Sequence, residues 1–404
     1  MLNKIDALLN RFTMYRVVLY SLVIYIVAAF ILTLTGTIGV SATGIALSLL
    51  VLLLVTYATN HGLARALNVS TNSESWLITA LILVCILPPP TTVSKVAAVA
   101  LTGVLAMASK FFLKWRGVNL FNPAAIAVFV VSLANIVPAT WWIGTPAMAP
   151  FTVLFGLLIL RKIRRFSLFI AFLAAAAIIA VYVGPILGND ALAGTLKNTF
   201  LSGPLIFMGT IMLTEPSTLP VGRLYQVLYG LLVGTVFSSE LGVGRLTSTP
   251  QVALIVGNIF TIVAVQRFGA QLALKRRTQI GPNLYDFAFS LPTDCDLPFT
   301  PGQYLEWTLP HAKADSRGNR RTFSIASSPA DSEVHLAIKT YEPSSTYKQA
   351  LLKLEPGQTI RVAHPAGDFT LPRRRYWHHP FSQHDQALGE CHRAAQYYPA
   401  LPSC

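Results

Sequence analysis

The spacing of apolar and polar positions changes character once along this chain of 404 residues. Up to about position 268 it consists of apolar runs with short polar breaks. They lie at about 15–45, 46–67, 75–89, 94–114, 122–138, 147–160, 166–187, 199–213, 224–239 and 249–268, the first having its spanning core nearer 17–35. A helix needs about 20 apolar residues to cross a bilayer, so the pattern predicts a polytopic α-helical membrane protein with about ten transmembrane helices. From about 280 the runs become short and alternating. Leu284–Leu291, Tyr304–Leu309, Arg321–Ser327, Val334–Thr340 and Thr359–Ala363 read as strands, punctuated by Gly281-Pro282, Pro301-Gly302, Pro356-Gly357 and Gly367. This is the pattern of a small antiparallel β-barrel. The expected organisation is a membrane domain over 1–277, a β-barrel domain over 278–372 and a tail over 373–404. The tail holds four of the eight histidines but no periodicity and no Gly-rich phosphate loop, and it reads as a truncated or frame-shifted segment without ordered structure.

The breaks within the apolar part correspond between its halves. The third span stops at Leu87-Pro88-Pro89-Pro90, and the eighth runs through Thr214 to Glu215-Pro216. The fifth begins Asn122-Pro123 and the tenth Thr249-Pro250, each a capping residue followed by proline at the first helical position. Both correspondences are offset by five spans. Five is odd, so the expectation is two inverted five-helix repeats. Short, proline-interrupted segments at matching places point to a site near the midplane. This makes Asn122, Pro123, Thr214, Glu215 and Pro216 the candidate membrane site. Two readings of Glu215 stand side by side: an ion-pathway carboxylate, or an interfacial one partnered by Arg223.

Charge sharpens the picture. The net charge is +14 with only 12% charged residues. Residues 1–277 hold 19 Lys and Arg against 5 Asp and Glu, whereas residues 278–404 hold 12 of each. The excess therefore sits in the apolar part, where it sets topology, and nucleic acid is not an expected partner. With the spans alternating, 16 basic residues fall on the side of the N-terminus and 3 (Lys95, Lys197 and Arg245) on the other. That bias predicts a multi-pass protein of a bacterial-type inner (plasma) membrane, surrounded by lipid, with its N-terminus and β-domain in the cytoplasm. Met1–Asn10 is amphipathic and is not read as a signal peptide. The four cysteines form no CxxC or Cys/His spacing, so no metal site is expected. His61 is the only histidine before position 278, too few for a bis-histidine haem.

The β-domain carries the clearest chemistry. Arg321-Thr322-Phe323-Ser324 follows Pro301-Gly302-Gln303-Tyr304 by about twenty residues. A pyrophosphate requires a cation and free amides. Arg321 offers a bidentate fork, and Ser344-Ser345-Thr346 is suited to open a helix over 346–354. An isoalloxazine ring requires a flat apolar face, for which Phe323 and Tyr304 are candidates. The Ser324 hydroxyl suits a hydrogen bond to the reactive N5 and is the candidate catalytic group. Ile338-Lys339 is a candidate for the adenosine side. The motif pair resembles the FAD-binding strands of the ferredoxin-reductase superfamily. That resemblance implies these same roles for Arg321, Phe323 and Ser324, with Thr322 within the motif, and an FAD cofactor.

Asn119-Leu120-Phe121-Asn122-Pro123-Ala124-Ala125, the basic stretch Leu160–Arg165 and Phe207–Pro216 resemble the NqrB/RnfD family over about residues 15–270. These are membrane subunits of the sodium-pumping NADH:quinone oxidoreductase and of the Rnf complex. The resemblance implies ten helices in two inverted halves, a bound flavin and electron transfer linked to ion movement. The Ser-Gly-Ala-Thr motif through which that family attaches FMN is absent, so the expected flavin in the bundle is a non-covalent FMN or riboflavin. The resulting expectation is a membrane-bound flavoprotein oxidoreductase. Electrons from NAD(P)H or a reductase partner chain would pass through FAD to a membrane flavin or quinone, with coupled Na⁺ or H⁺ transport. The alternatives are an inverted-repeat transporter with a regulatory FAD domain, and an inactive fragment of such an oxidoreductase.

Overall fold

The computed structural model describes residues 2–365 except 10, 68, 70–72, 116–117, 184–191, 202, 221, 240–241, 244–245, 265–269, 292–296, 298, 300–301, 312–318 and 363–364. The expected tail over 373–404, Gly367, Pro301, Arg116, Arg245 and Arg267 lie outside the described residues.

The described residues of the apolar part are mainly helical. After a short α1 (Leu2–Leu9) come α2 (Met14–Leu34), α3 (Ala42–Ala66), α4 (Ser73–Ile86) and α5 (Val93–Phe112). A two-residue hairpin, β1 (Lys114–Trp115) and β2 (Val118–Asn119), leads to α6 (Pro123–Leu133), α7 (Ala149–Ile163), α8 (Phe166–Val183) and α9 (Leu192–Leu201). One turn of α10 (Leu205–Phe207) runs into a π-helical turn, Met208–Met212, before α11 (Arg223–Ser238). A second hairpin, β3 (Gly242–Val243) and β4 (Leu246–Thr247), leads to α12 (Pro250–Ala264). Among the described residues four helices, α2, α3, α5 and α8, are long and apolar enough to cross a membrane. Three further apolar helices, α4, α6 and α12, are shorter. The expected count of ten spans thus exceeds the four long helices, because proline and turn residues halt several apolar runs early. Leu87-Pro88 ends α4, for example, and the chain from Ala134 to Met148 is not helical.

Helix starts follow local chemistry. The side chains of Thr13, Ser41, Thr92 and Asn122 each accept a hydrogen bond from the amide three residues on, at the starts of α2, α3, α5 and α6. Thr249 does not repeat this at α12: its buried hydroxyl has no hydrogen-bond partner, which corrects the expectation of matching caps. Packing relies on small residues. A Cβ on Gly230 would lie 2.6 Å from the Leu168 carbonyl, and one on Gly234 would lie 2.9 Å from the Ala175 Cβ. Two glycines four apart on one helix face thus allow α11 and α8 to meet backbone to backbone.

The β-domain is a six-stranded antiparallel sheet, not a closed barrel. Its strands are β5 (Ala270–Gly281), β6 (Leu284–Ser290), β7 (Tyr304–Thr308), β8 (Arg320–Ser324), β9 (Glu333–Lys339) and β10 (Thr359–Val362). They are ordered β8-β7-β10-β5-β6-β9, leaving β8 and β9 as edges. One backbone bond, Ala326 N–H to the His335 carbonyl at 2.9 Å, joins the two edges just beyond β8. A helix, α13 (Thr346–Leu352), bridges the opening: Tyr347 packs under β7 and β8, and Lys348 Nζ donates to the Lys339 carbonyl of β9. Helix α13 stops two residues short of the expected 354. Strand β5 was not among the expected strands. It straddles position 277, so Lys275, Arg276 and Arg277 lie in a strand instead of a membrane-flanking loop. Its Lys/Arg-rich outer half masks the alternation of Ala270, Leu272 and Leu274, all of which are buried. Phe287, Phe289, Leu305, Trp307, Leu336 and Tyr347 form the centre of this domain's core.

Candidate functional site

Two sites emerge, one in each part. In the β-domain, the β7–β8 ladder pairs Tyr304 with Ser324, Leu305 with Phe323, Glu306 with Thr322 and Trp307 with Arg321. Cross-strand partners point to the same side, so the ladder sorts the predicted residues onto two faces. Arg321 and Phe323 share the face of buried Leu305 and Trp307, whereas Thr322 and Ser324 are exposed on the face of Tyr304. Phe323 and Tyr304, both candidate ring platforms, therefore stand on opposite faces of the ladder. The hydrogen bonds Ile325 N–H to the Gln303 carbonyl and Leu309 N–H to the Asn319 carbonyl, both 3.0 Å, fix the phase of the ladder. Bonded pairs alternate with non-bonded ones, so the main-chain N–H and C=O of Thr322 and Ser324 point away from β7, toward the open edge. An edge with free amides beside an exposed hydroxyl is suited to grip the polar rim of a flat heterocycle.

Beneath that edge lies α13. The guanidinium carbon of Arg321 stands 5.3 Å from the centroid of the Tyr347 ring, and Phe323 meets the same ring at 5.9 Å and 41°. His311 meets it edge-on at 5.9 Å, and its Nε2 lies 3.1 Å from Thr346 Oγ1. The Tyr347 hydroxyl donates to the Trp307 carbonyl at 3.2 Å. Burial pushes the Tyr347 phenol well above its ordinary range, so it remains a donor. Ser345 caps α13, its hydroxyl accepting the Lys348 amide at 3.3 Å. Lys339 is at the opposite edge, its ammonium 5.7 Å from the Tyr341 ring centroid, with Lys348 at 5.6 Å from the same ring. The fit to a dinucleotide is marked by two buried polar atoms without partners, Ser344 Oγ ahead of α13 and Asn319 Oδ1 ahead of β8. Buried polar atoms ordinarily find a partner, and both flank the elements that carry Thr346 and Arg321. Tyr347 and His311 escaped sequence reading. The only hint of Tyr347 was an aromatic residue just inside a Ser-Ser-Thr helix start.

The second site lies among the helices. Asn122, Pro123, Thr214, Glu215 and Pro216, chosen from sequence, all line one cleft. Its other walls are largely apolar, including Met14, Val18, Ile78, Ile159 and Ile211, with Ser75 and Thr79 as further polar groups. The π-helical turn brings Ile211 and Thr214 to this wall, and Thr214 Oγ1 is anchored on the Thr210 carbonyl at 2.7 Å. Gly209 in that turn leaves room for Phe169 and Phe172, whose ring atoms lie within 2.8 Å of where a Cβ would be. Asn122 is buried and its amide donates to Asn258 Oδ1 at 2.8 Å. Asn258 Nδ2 in turn donates to the Tyr229 hydroxyl at 3.2 Å. Glu215 accepts from the Ser217 hydroxyl at 2.8 Å, and the cation that acts on it is Lys110. This replaces Arg223, which is exposed. Lys110 is itself buried and donates to the carbonyl and hydroxyl of Ser75 at 2.7 and 2.9 Å. Lys110 was read as a topology charge, although its place before Phe111-Phe112, inside the apolar run, marked it as buried. Asn258, polar in the middle of a span, carried a similar signal.

Residues 271–371 match the family model of the oxidoreductase FAD-binding domain. This part of the chain is an FAD-binding module of the oxidoreductase type, and its cofactor is FAD. No curated protein matches the chain in sequence. Among solved structures, the chain is similar to a cytochrome P450 reductase from Amycolatopsis, with 22% identity over 26% of this chain and 30% of that one, at a TM-score of 0.22. It is also similar to the cytochrome b5 reductase domain of Ulva prolifera nitrate reductase, with 21% identity, coverage of 26% and 43%, and a TM-score of 0.23. Phthalate dioxygenase reductase gives 19% identity, 27% and 33% coverage, and a TM-score of 0.23. The chain thus spans less than half the length of each of these structures.

Proposed function

We propose that the chain is a membrane flavoprotein that takes electrons from a cytoplasmic donor, NAD(P)H or a reductase partner, and delivers them to a flavin or quinone held in the helical part. The single observation that carries this reading is the cleft whose wall gathers all five sequence-selected membrane residues, in the same chain as an FAD-binding module. FAD, when bound, supplies the capacity to accept electrons in pairs and release them singly. The chain's own residues would hold and orient it. Arg321 would neutralise the pyrophosphate, with Ser344 and Thr346 nearby to donate hydrogen bonds. Phe323 would support the ring plane, and Ser324 would present its hydroxyl and edge amide to the ring's reactive nitrogen. Tyr304 would cover the exposed face, and Lys339 would approach the adenosine side.

In the cleft, isoleucine and methionine walls suit a flat aromatic ring, while Asn122, Thr214 and Glu215 would hydrogen-bond its oxygens. A non-covalent FMN or riboflavin, or a quinone headgroup, has that character. Two matching hairpins, β1–β2 before α6 and β3–β4 before α12, support the reading of two inverted halves in the manner of the NqrB/RnfD family. In that reading the ten apolar runs, the short ones included, cross a bacterial-type plasma membrane. The N-terminus and FAD module would face the cytoplasm, and Na⁺ or H⁺ movement would be coupled to electron flow. The test uses full-length protein in detergent. Its bound flavin is photoreduced without oxygen, a short-chain quinone is added, and reoxidation is followed by absorbance. Quinone should restore the oxidised spectrum, and Thr214→Leu should slow that recovery at least tenfold with FAD content unchanged. A colourless protein, or recovery indifferent to Thr214→Leu, overturns the proposal.

A further inference from the structure

We propose that Tyr347 is a positioning residue for FAD: its ring is the platform that aims the Arg321 guanidinium at the pyrophosphate. The inference rests on the pyrophosphate role proposed above for Arg321. An arginine that must serve a phosphate has to be held in place. An aromatic face attracts the guanidinium and leaves its N–H donors in the plane, where an incoming anion can accept them. The Arg321 guanidinium carbon at 5.3 Å from the Tyr347 ring centroid is within range of such an interaction.

The platform is itself fixed. The Tyr347 hydroxyl donates to the Trp307 carbonyl at 3.2 Å, and Trp307 is the cross-strand partner of Arg321. In this ladder Trp307 and Arg321 form a bonded pair, and the Trp307 carbonyl has a second lone pair for the phenol. Main chain, phenol, ring and guanidinium thereby make a closed circuit, Arg321–Trp307–Tyr347–Arg321. The guanidinium cannot shift along β8 without breaking one of its links. Phe323 and His311 brace the ring from two sides, each at 5.9 Å. Tyr347 is fully buried. It therefore acts on FAD through the residues it supports, and the guanidinium of Arg321 is the charged one among them.

The experiment titrates flavin-stripped full-length protein in detergent with FAD. Wild type is compared with Arg321→Ala, Tyr347→Met, Tyr347→Phe and the Arg321→Ala/Tyr347→Met double variant, and the melting temperature of each stripped protein is recorded. Tyr347→Met should weaken FAD about tenfold in the wild-type background and less than twofold in the Arg321→Ala background. Tyr347→Phe, which keeps the ring and loses only the phenol link to Trp307, should weaken FAD by about threefold at most, well short of Tyr347→Met. An equal loss from Tyr347→Met in both backgrounds, or from Tyr347→Phe as from Tyr347→Met, overturns the inference and assigns Tyr347 to the core alone. If Arg321→Ala leaves FAD affinity untouched, the pyrophosphate role of Arg321 fails first, and that result is separate from either of the others. Should Tyr347→Met not fold, stepwise fluorination of a phenylalanine at 347 replaces it. Affinity must then fall with each fluorine when Arg321 is present and stay level when it is not.

Discussion

Replacing Asn258 with leucine tests how the helical site is held together. Asn258 is fully buried in α12 and serves two neighbours: it accepts the Asn122 amide at 2.8 Å and donates to the Tyr229 hydroxyl at 3.2 Å. Leucine has the same branched heavy-atom skeleton with bulkier methyl ends, so the change mainly removes the polar contacts. Asn122 would be left with a buried, unbonded N–H, which costs about 1–3 kcal/mol. Loss of the Tyr229 bond adds about 1 kcal/mol, the usual net worth of such a bond, and interhelical polar bonds in membranes are of similar size. The expected destabilisation is therefore about 2–4 kcal/mol. Because Asn122 caps α6 and lines the cleft, ligand binding there should weaken as well. The assay is unfolding of purified protein in mixed micelles with increasing SDS, followed by tryptophan fluorescence. Asn258→Asp is the control: its carboxylate keeps an acceptor for the Asn122 amide but loses the donor to Tyr229. A leucine variant within about 0.5 kcal/mol of wild type would refute the idea that this three-residue chain anchors the cleft.

Gly234→Val should disrupt the α8–α11 contact, since its side chain would collide with Ala175 and the α8 backbone. A loss of more than about 3 kcal/mol or failure to fold is expected, read by detergent-resistant monomer yield. Ser345→Ala removes the cap of α13 and should destabilise the β-domain by about 1 kcal/mol, measured by hydrogen exchange of the Lys348 amide. Glu333 is held below the usual carboxylate range, first by its hydrogen bond from Lys275 and then by the charges of Arg276 and His335. A carboxyl lowered in the folded state stabilises above its ordinary value of 4.5 and loses that contribution as pH falls through the folded value. Glu333→Gln should therefore lower the melting temperature near neutral pH and converge with wild type in acid. A constant offset across pH would argue against the ion cluster.

The chain itself announced the two-part division, because apolar runs of about twenty residues and alternating five-residue runs have different solvents as their natural surroundings. It also announced the FAD strands, since Arg321–Ser324 is a local pattern whose chemistry lies in consecutive residues. The cleft residues Asn122, Pro123 and Thr214–Pro216 were legible for the same reason: capping and proline breaks are local events. What only the tertiary structure decided depends on residues far apart in sequence. The phase of the β7–β8 ladder put Phe323 and Tyr304 on opposite faces, a fact of pairing that neither strand contains alone. Lys110 became the cation acting on Glu215 because α5 brings it against Ser75 and the cleft, whereas sequence proximity had favoured Arg223. Strand β5 was hidden by Lys275–Arg277, whose charges suggest a membrane flank until β6 and β10 pair on either side of it. Asn258 and Tyr347 acquired their roles in the same way, because a buried polar atom or ring has meaning only through the partner that folding brings to it.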